Sequence, residues 1–436
     1  MGLSTQQKSV ITTITQGKNV FITGPGGTGK THLIKHIVTT MSDCHTIFVC
    51  ALTGVAGELL GCDAKTIHSW SGTGKANSSI DTISRKVMRN KVAKNNWKKC
   101  NILIVDEVSM MSEKYFEILD IIGRLVRKID KPFGGIQLVF SGDFHQLPPI
   151  GEKGKDITHN SHRFCFQSEL WNQLFPTNNV FVLSTFYRQK DPLFTKILMQ
   201  IRKGKISRKT NDILQSKIQR NIQNTKNIPI LSPLRNRVNI ENDKNMKLLQ
   251  TSEYKYPYKV IKTEEFYKDL DELPASYIKN EINRIKSEMN ADEILTLKVG
   301  AHVMCVANID MKSSTQIVNG SQGKVIDITV DDIPIVQFNN GVIREMNYHT
   351  WSSEDIPGLG VQQIPLILSW AVTIHKAQGI TLDSCIADVG HNIFEYGQTY
   401  VALSRVKTLD GLILEDYTPH SIRTNPDVQE YYKSLG

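Results

Sequence analysis

Up to about residue 185, short β-type apolar runs alternate with stretches in which apolar residues recur at helical spacing, the pattern of a parallel sheet with covering helices. The expected strands are Val20 to Thr23, Ile47 to Ala51, Ile102 to Val105, Gln137 to Ser141 and Val180 to Leu183. After the first of them, Leu33, Ile34, Ile37 and Val38 fall on one helical face. From Thr73 to Lys99 the alternation breaks: eight basic residues (Lys75, Arg85, Lys86, Arg89, Lys91, Lys94, Lys98, Lys99) face one acid, Asp81. This stretch reads either as a small basic insertion in the first domain or as a solvated surface helix. A second sheet is expected from Pro229 to Leu231, Leu366 to Thr373, Cys385 to Asp388 and Leu412 to Leu414. Between these halves a charged helical stretch runs to about Leu297, followed by short strands with turn signals at Asn319-Gly320, Asp331-Asp332 and Asn339-Asn340-Gly341. That pattern predicts a small β-barrel inserted in the second domain.

Length and composition add a partner. At 436 residues the chain exceeds one ordinary core, so two or more domains are expected. A net charge of +9 points to a polyanion, most simply nucleic acid. The seven cysteines are scattered, odd in number and without a C-x-x-C pair, so neither a disulfide framework nor a zinc site is indicated and they read as reduced thiols. No apolar run approaches the roughly 18 residues that span a bilayer. With a polar N-terminus lacking a signal peptide or arginine-rich leader, the chain is expected to be soluble and inside a cell.

Gly24-Pro25-Gly26-Gly27-Thr28-Gly29-Lys30-Thr31 fits G-x-x-x-x-G-K-[ST] at every fixed position, between the first strand and a helix. There, free backbone N–H groups and the helix dipole favour phosphate. Gly26, Gly27, Thr28 and Gly29 line the nest, Lys30 reaches the terminal phosphates of ATP, and the Thr31 hydroxyl ligates Mg²⁺. Ile102-Leu103-Ile104-Val105-Asp106-Glu107 is an apolar strand ending in two carboxylates. Asp106 suits holding Mg²⁺ through its water shell, and Glu107 suits polarising the attacking water. Gln146, in Gly142-Asp143-Phe144-His145-Gln146-Leu147-Pro148-Pro149, offers a donor and an acceptor at a strand tip, which suits sensing the γ-phosphate.

That last stretch and its flank Lys131-Pro132-Phe133-Gly134-Gly135-Ile136-Gln137-Leu138 resemble the "PFGGIQLI…GDFxQLPP" segment of the superfamily 1 DNA helicases of the Pif (petite integration frequency) family, cousins of RecD-like helicases. Other segments resemble that family in the same order. Leu3-Ser4-Thr5-Gln6-Gln7 is similar to its adenine-reading motif, with Gln7 at the base edge. Ala51-Leu52-Thr53-Gly54-Val55-Ala56 and Thr66-Ile67-His68-Ser69 are similar to its "TG(I/V)AA…TIHS" segment, which implies single-stranded DNA contacts at Thr53, Gly54 and His68. Asp106-Glu107-Val108-Ser109-Met110 matches "DE(I/V)SM", and Phe186-Tyr187-Arg188-Gln189 resembles "FRQ", which puts Arg188 on the γ-phosphate. Ile317-Val318-Asn319-Gly320-Ser321-Gln322-Gly323 resembles "VNGSxG". Thr373-Ile374-His375-Lys376-Ala377-Gln378-Gly379-Ile380-Thr381 and Tyr400-Val401-Ala402-Leu403-Ser404-Arg405 resemble "TIHKSQGxT" and "YVALSR", the latter carrying an arginine finger at Arg405.

The resemblance implies an α/β fold of two RecA-like parallel-sheet motor domains, one at 1–185 with a basic wedge insertion at about 72–99, the other at 186–298 and 366–436. An SH3-like β-barrel is implied at 299–365. ATP is expected between the domains, with Arg188 and Arg405 from the second and Gly379 at the nucleotide. DNA contacts are expected at Phe144, His145, Asn319, Thr373, His375 and Lys376. Ala377 replaces the family's usual serine and His145 its frequent phenylalanine, both in loops expected to face DNA. The implied activity is that of an ATP-dependent 5′-to-3′ DNA helicase acting in replication, repair or recombination, expected as a monomeric motor on single-stranded DNA and single-strand/duplex junctions. A nucleic-acid-stimulated ATPase or RNA helicase is the alternative, and a small-molecule kinase would use the same phosphate loop without needing Arg188, Arg405 or a second sheet.

Overall fold

Four consecutive buried residues make Val20–Thr23 (β1) an interior strand. It lies in a six-stranded sheet with Ile47–Ala51 (β2), Lys65–Thr66 (β3), Ile102–Asp106 (β4), Gln137–Gly142 (β5) and Val180–Val182 (β6), in the order β3-β2-β4-β5-β1-β6. Every pairing is parallel. Parallel strands covered on both faces read as continuous apolar runs, which is why these were legible. Successive residues point to opposite faces. Phe21, Leu103, Val105, Leu138 and Phe140 accordingly pack on one side with Phe116 and Trp171, and Val20, Ile22, Ile102, Ile104 and Val139 pack on the other with Leu33, Ile34 and Ile37.

The computed structural model describes residues 2–74, 76, 78–149, 162–219, 228–268, 274–289, 291–309, 317–353 and 356–435. They divide into two compact units. The first comprises Met1–Asn211, Glu395–Ser404 and Ile422–Gly436, and the second Asp212–Phe394 and Arg405–Ser421. Residues 186–211, 395–404 and 422–436, expected in the second domain, therefore group with the first. The physical reason is apolar: Val428, Tyr431 and Tyr432 join the core around Phe144 and Trp171.

The basic stretch forms two helices, Ile80–Arg89 and Lys91–Lys99. Ile83, Val87, Ala93 and Trp97 are buried in the core of the first unit, while Arg85, Lys86, Arg89, Lys91, Lys98 and Lys99 face solvent. Trp97 Nε1 donates to Ser71 O at 3.0 Å, and Arg127 donates to Trp97 O at 2.7 Å. It is thus an integral basic layer. Lys75 lies outside the described residues.

The second unit holds a four-stranded parallel sheet of Ile230–Ser232 (β7), Ala371–Thr373 (β18), Cys385–Val389 (β19) and Leu412–Tyr417 (β20), ordered β18-β7-β19-β20. Its antiparallel strands lie between β7 and β18 in the chain: Glu253–Pro257 (β8), Lys259–Lys262 (β9), Ile294–Lys298 (β10), His302–Cys305 (β11), Gln322–Ile328 (β12), Pro334–Phe338 (β13), Ile343–Glu345 (β14), His349–Ser352 (β15), Leu359–Gln363 (β16) and Leu366–Leu368 (β17). Five of them form the sheet β14-β13-β12-β11-β17, with Asp331-Asp332 and Asn339-Asn340-Gly341 in the connecting turns. The expected single strand from Leu366 to Thr373 is two. β17 pairs with β11 in the antiparallel sheet, and β18 enters the parallel one after the break at Ser369-Trp370. Extra antiparallel sheets thus accompany the parallel core.

Candidate active site

The phosphate-loop sequence lies between the C-terminal end of β1 and the helix Lys30–Met41. Its glycines are required by crowding. A Cβ on Gly24 would fall 2.4 Å from Leu183 O, and one on Gly27 would fall 2.7 Å from Gln189 Oε1 and 2.8 Å from Arg188 Cβ. Gly27 and Gly29 also have φ of 87° and 81°, in the left-handed region that glycine tolerates. The loop is held at several points: Thr28 Oγ1 donates to Pro25 O at 2.8 Å, Lys30 Nζ donates to Gly24 O at 2.7 Å, and Gly26 N–H donates to Tyr400 Oη at 2.9 Å.

Asp106 ends β4, directly beside the loop in charge terms. Burial pulls the Lys30 pKa below its ordinary value, while Asp143, Glu107 and Asp106 oppose that fall. Burial pushes the Asp106 carboxyl up, opposed by the Glu107 N–H that donates to its Oδ1 at 2.9 Å and by Lys30. Glu107 takes φ of 55°, a left-handed turn that carries the chain off the strand at the second acid. Thr31 and Asp106 are hard oxygen donors of the kind Mg²⁺ takes. Among the described residues, no group of three or more His, Cys, Asp or Glu side chains could hold a metal by itself.

Gln146 is buried beyond β5, its N–H donating to Asp143 O at 2.8 Å. Asp143 is clasped by Arg202, whose Nε donates to Oδ2 at 3.0 Å and Nη2 to Oδ1 at 2.8 Å. Burial would raise the Asp143 pKa, but Arg202 overrides it and holds the carboxyl at about 2. His145 stacks on Tyr432 with ring centroids 4.7 Å apart, and its Nδ1 lies 2.8 Å from Thr424 Oγ1. Burial, then Arg202, depresses the imidazole to about 3.

Two residues expected to contact DNA, Phe144 and His145, are buried. Phe144 is 1% exposed among Phe21, Phe164, Phe166 and Trp171, and His145 is 5% exposed beneath Tyr432. The C-terminal helix Pro426–Ser434 packs Val428, Tyr431 and Tyr432 against this loop. Arg188, expected from the second domain, belongs to the first unit: its N–H donates to Gly27 O at 3.3 Å and its Nη1 to Ser404 O at 3.2 Å. Burial lowers its pKa, opposed by Tyr400 and Glu107. Gln7 closes a capping box with Ser4, whose N–H donates to Gln7 Oε1 at 3.0 Å. Its Nε2 lies 3.3 Å from where a Gly29 Cβ would be, so it abuts the phosphate loop.

Thr53 follows β2 and accepts Ala56 N–H at 3.2 Å, capping the helix Gly54–Leu60. His68 follows β3 and stacks on Tyr115 at 4.7 Å. Both are half-buried on the C-terminal side of their strands, as is Gly54.

In the second unit, Thr373 ends β18 and accepts Lys376 N–H at 3.2 Å. His375 lies nearly parallel to Phe394, centroids 6.5 Å apart, and Phe394 is 58% exposed. Burial lowers the Lys376 pKa. A Cβ on Gly320 would fall 2.6 Å from Ile380, so the Asn319-Gly320 turn packs beside the Gly379-Ile380 turn. Arg405 Nη1 reaches Ile380 O at 3.5 Å in the same corner. Asn319, expected to contact DNA, and Ala377 are buried; Asn319 Nδ2 donates to Val306 O at 3.2 Å and shapes its own turn.

Arg202, Tyr400 and Tyr432 are the site residues that sequence reasoning missed. Tyr400 heads a quoted motif, and a phenol there was the available signal. Arg202 and Tyr432 carry no local signal.

The PIF1-like helicase family profile matches residues 2–212, and that of the DNA helicase Pif1 2B domain matches residues 282–328. The ATP-dependent DNA helicase PIF1 of Danio rerio is 34% identical over 99% of this chain. The chain spans 64% of that relative's length. The crystal structure of Pif1 helicase from Candida albicans superposes with a TM-score of 0.81 at 30% identity, covering 100% of both chains. Bacteroides Pif1 bound to single-stranded DNA gives a TM-score of 0.69 at 27% identity, covering 100% of this chain and 97% of that one.

Proposed function

The chain belongs to the PIF1-like helicase family, and from that premise we propose that it is an ATP-dependent DNA helicase moving 5′ to 3′ along single-stranded DNA and opening duplex ahead of it. The observation that supports this reading is the gathering of Lys30, Asp106, Glu107 and Arg188 around one phosphate loop. The Bacteroides relative's single strand supports the choice of polymer.

Each residue has a separable task. The loop N–H groups and Lys30 bind the triphosphate. Glu107 takes a proton from the attacking water, and Gln146 reports on the γ-phosphate. Arg188 neutralises charge that develops on the transferring phosphoryl group, a task suited to its planar guanidinium. Thr31 and Asp106 would hold Mg²⁺, which when bound supplies positive charge to the terminal phosphates. The outward cations of the helices Ile80–Arg89 and Lys91–Lys99 meet phosphates at the junction, as a wedge would. Thr53, Gly54, His68, Thr373, His375 and Lys376 follow the single strand.

Strand displacement tests the proposal, with partial duplexes bearing a 5′ or a 3′ tail in DNA and in RNA. ATP-dependent opening of the 5′-tailed DNA substrate is expected. ATP hydrolysis stimulated by DNA without any opening would leave only a nucleic-acid-stimulated ATPase, and opening from the 3′ tail alone would overturn the direction.

A further inference from the structure

We propose that Tyr432 is a positioning residue for ATP hydrolysis, because its hydroxyl ties the residue that precedes the phosphate loop to the loop that carries Gln146. Thr23 is the last residue of β1, and Gly24 opens the phosphate loop. On the adjacent strand β5, Gly142 stands in register with Thr23 and leads into Asp143 and Gln146. The two loops thus leave neighbouring strands at the same level, and their separation sets how far Gln146 stands from phosphates held by Lys30.

One phenol spans that gap. Tyr432 Oη lies 2.6 Å from Thr23 Oγ1, accepts Phe144 N–H at 3.2 Å and donates to Asp143 Oδ1 at 3.4 Å. With its proton given to Asp143, the oxygen accepts from the Thr23 hydroxyl, so the three contacts are compatible. The ring cannot easily turn away. His145 stacks on it at 4.7 Å with planes 12° apart, and the Arg202 guanidinium carbon stands 4.9 Å from its centroid. Arg202 also clasps Asp143, whose carbonyl accepts Gln146 N–H at 2.8 Å. From Tyr432 to Gln146 the path is therefore two bonded steps. Burial raises the Tyr432 pKa, opposed by Arg202, Thr23 and the Phe144 amide but reinforced by Asp143, so the phenol stays a neutral donor.

A second phenol acts on the other side. Tyr400 Oη accepts Gly26 N–H, and the backbone at Gly397 packs so closely that a Cβ there would fall 2.4 Å from Gln146 O. Both returning segments of the first unit, 395–404 and 422–436, thus bear on the two nucleotide loops. Displacing a reacting group by about 1 Å can lower turnover about a hundredfold, so a side chain that fixes this spacing acts on rate without touching ATP.

The inference rests on Gln146 acting as the γ-phosphate sensor, and the test separates the two ideas. DNA-stimulated ATP hydrolysis is measured on the full chain for wild type, Tyr432→Phe, Thr23→Val, Gln146→Ala and the double variant Tyr432→Phe with Gln146→Ala. Tyr432→Phe keeps the stack and removes only the hydroxyl. It should lower kcat about tenfold, with KM for ATP within about twofold and a melting midpoint lowered by no more than about 3 °C. Thr23→Val should reproduce the loss from the other end of the bond. In the Gln146→Ala background, Tyr432→Phe should add little further, since both act through one loop. Unchanged kcat in Tyr432→Phe, or losses that simply multiply in the double variant, would overturn the proposal. Wild-type kcat in Gln146→Ala would overturn the sensor reading and the proposal with it.

Discussion

Lys30 donates to Gly24 and Pro25 oxygens within its own loop, so Lys30→Ala removes both the proposed phosphate ligand and a tie that shapes the nest. ATP hydrolysis should be lost while single-strand binding stays within a few fold, checked by turnover and by anisotropy of a labelled oligonucleotide. Near wild-type turnover would sink the assignment of the loop. Glu107→Gln should instead retain ATP unhydrolysed, because the amide cannot accept the proton of the attacking water. His145 gives the residue scale a pH test. It is neutral when folded, with its pKa depressed to about 3, whereas in the unfolded chain it titrates near 6.5. Between those values the unfolded state binds the extra proton, so stability falls as pH drops below about 6.5, by about 1.4 kcal/mol per unit from this group alone. Asp143, held at about 2, contributes stability that persists above its unfolded value near 3.9 and fades only as pH falls toward 2. His145→Phe should flatten the decline between pH 6 and pH 4, measured by denaturant unfolding; identical slopes would contradict the buried neutral imidazole. The placing of Lys30, Asp106 and Glu107 beside one another was legible because they lie in contiguous motifs at strand ends. Arg202 and Tyr432 were not, since what makes them matter is a contact 59 positions away in one case and 409 in the other.

At the scale of elements, β1 and β2 coincide with the runs read from sequence, and β4, β5 and β6 differ from theirs by one residue at the C-terminal end. Sandwiched strands declare themselves through unbroken apolar runs. The stretch from Leu366 to Thr373 did not, because two strands of different sheets lie in one nearly continuous apolar run. The helices Ile80–Arg89 and Lys91–Lys99 were legible in charge and illegible in packing. Charge counts show the exposed face, while the seating of Trp97 depends on Arg127 and Ser71 from elsewhere in the chain. A deletion of this layer would therefore open the core. Trp97→Ala should destabilise the chain by about 3–5 kcal/mol, read from chemical unfolding. Replacing only the outward Arg89, Lys91, Lys98 and Lys99 by serine should leave stability and DNA-stimulated hydrolysis near wild type and lower fork opening sharply. Equal loss of hydrolysis and opening would point to the nucleic acid track, and unimpaired opening would leave these cations as a solvated surface.

For the whole molecule, the parallel-sheet core with added antiparallel sheets followed from pattern and motif order, but the partition of the chain did not. It passes between the two units four times, at 211/212, 394/395, 404/405 and 421/422. Composition shows no boundary at the last three, since each returning segment is short and is claimed by tertiary packing. The net charge of +9 predicts that single-strand affinity falls steeply with salt through counterion release, and a salt-independent affinity would contradict the basic track. The return of the helix Pro426–Ser434 to the first sheet also has a temporal meaning. A ribosome adds about 5–20 residues per second, so some 20–80 s separate the appearance of Thr23 from that of Tyr432, 409 positions later. During that interval the nascent chain has its phosphate loop but lacks Tyr400, Tyr432 and the apolar cover over Phe144 and His145. An unfinished chain therefore leaves uncovered, until its last residues emerge, the aromatic floor that Val428, Tyr431 and Tyr432 pack against.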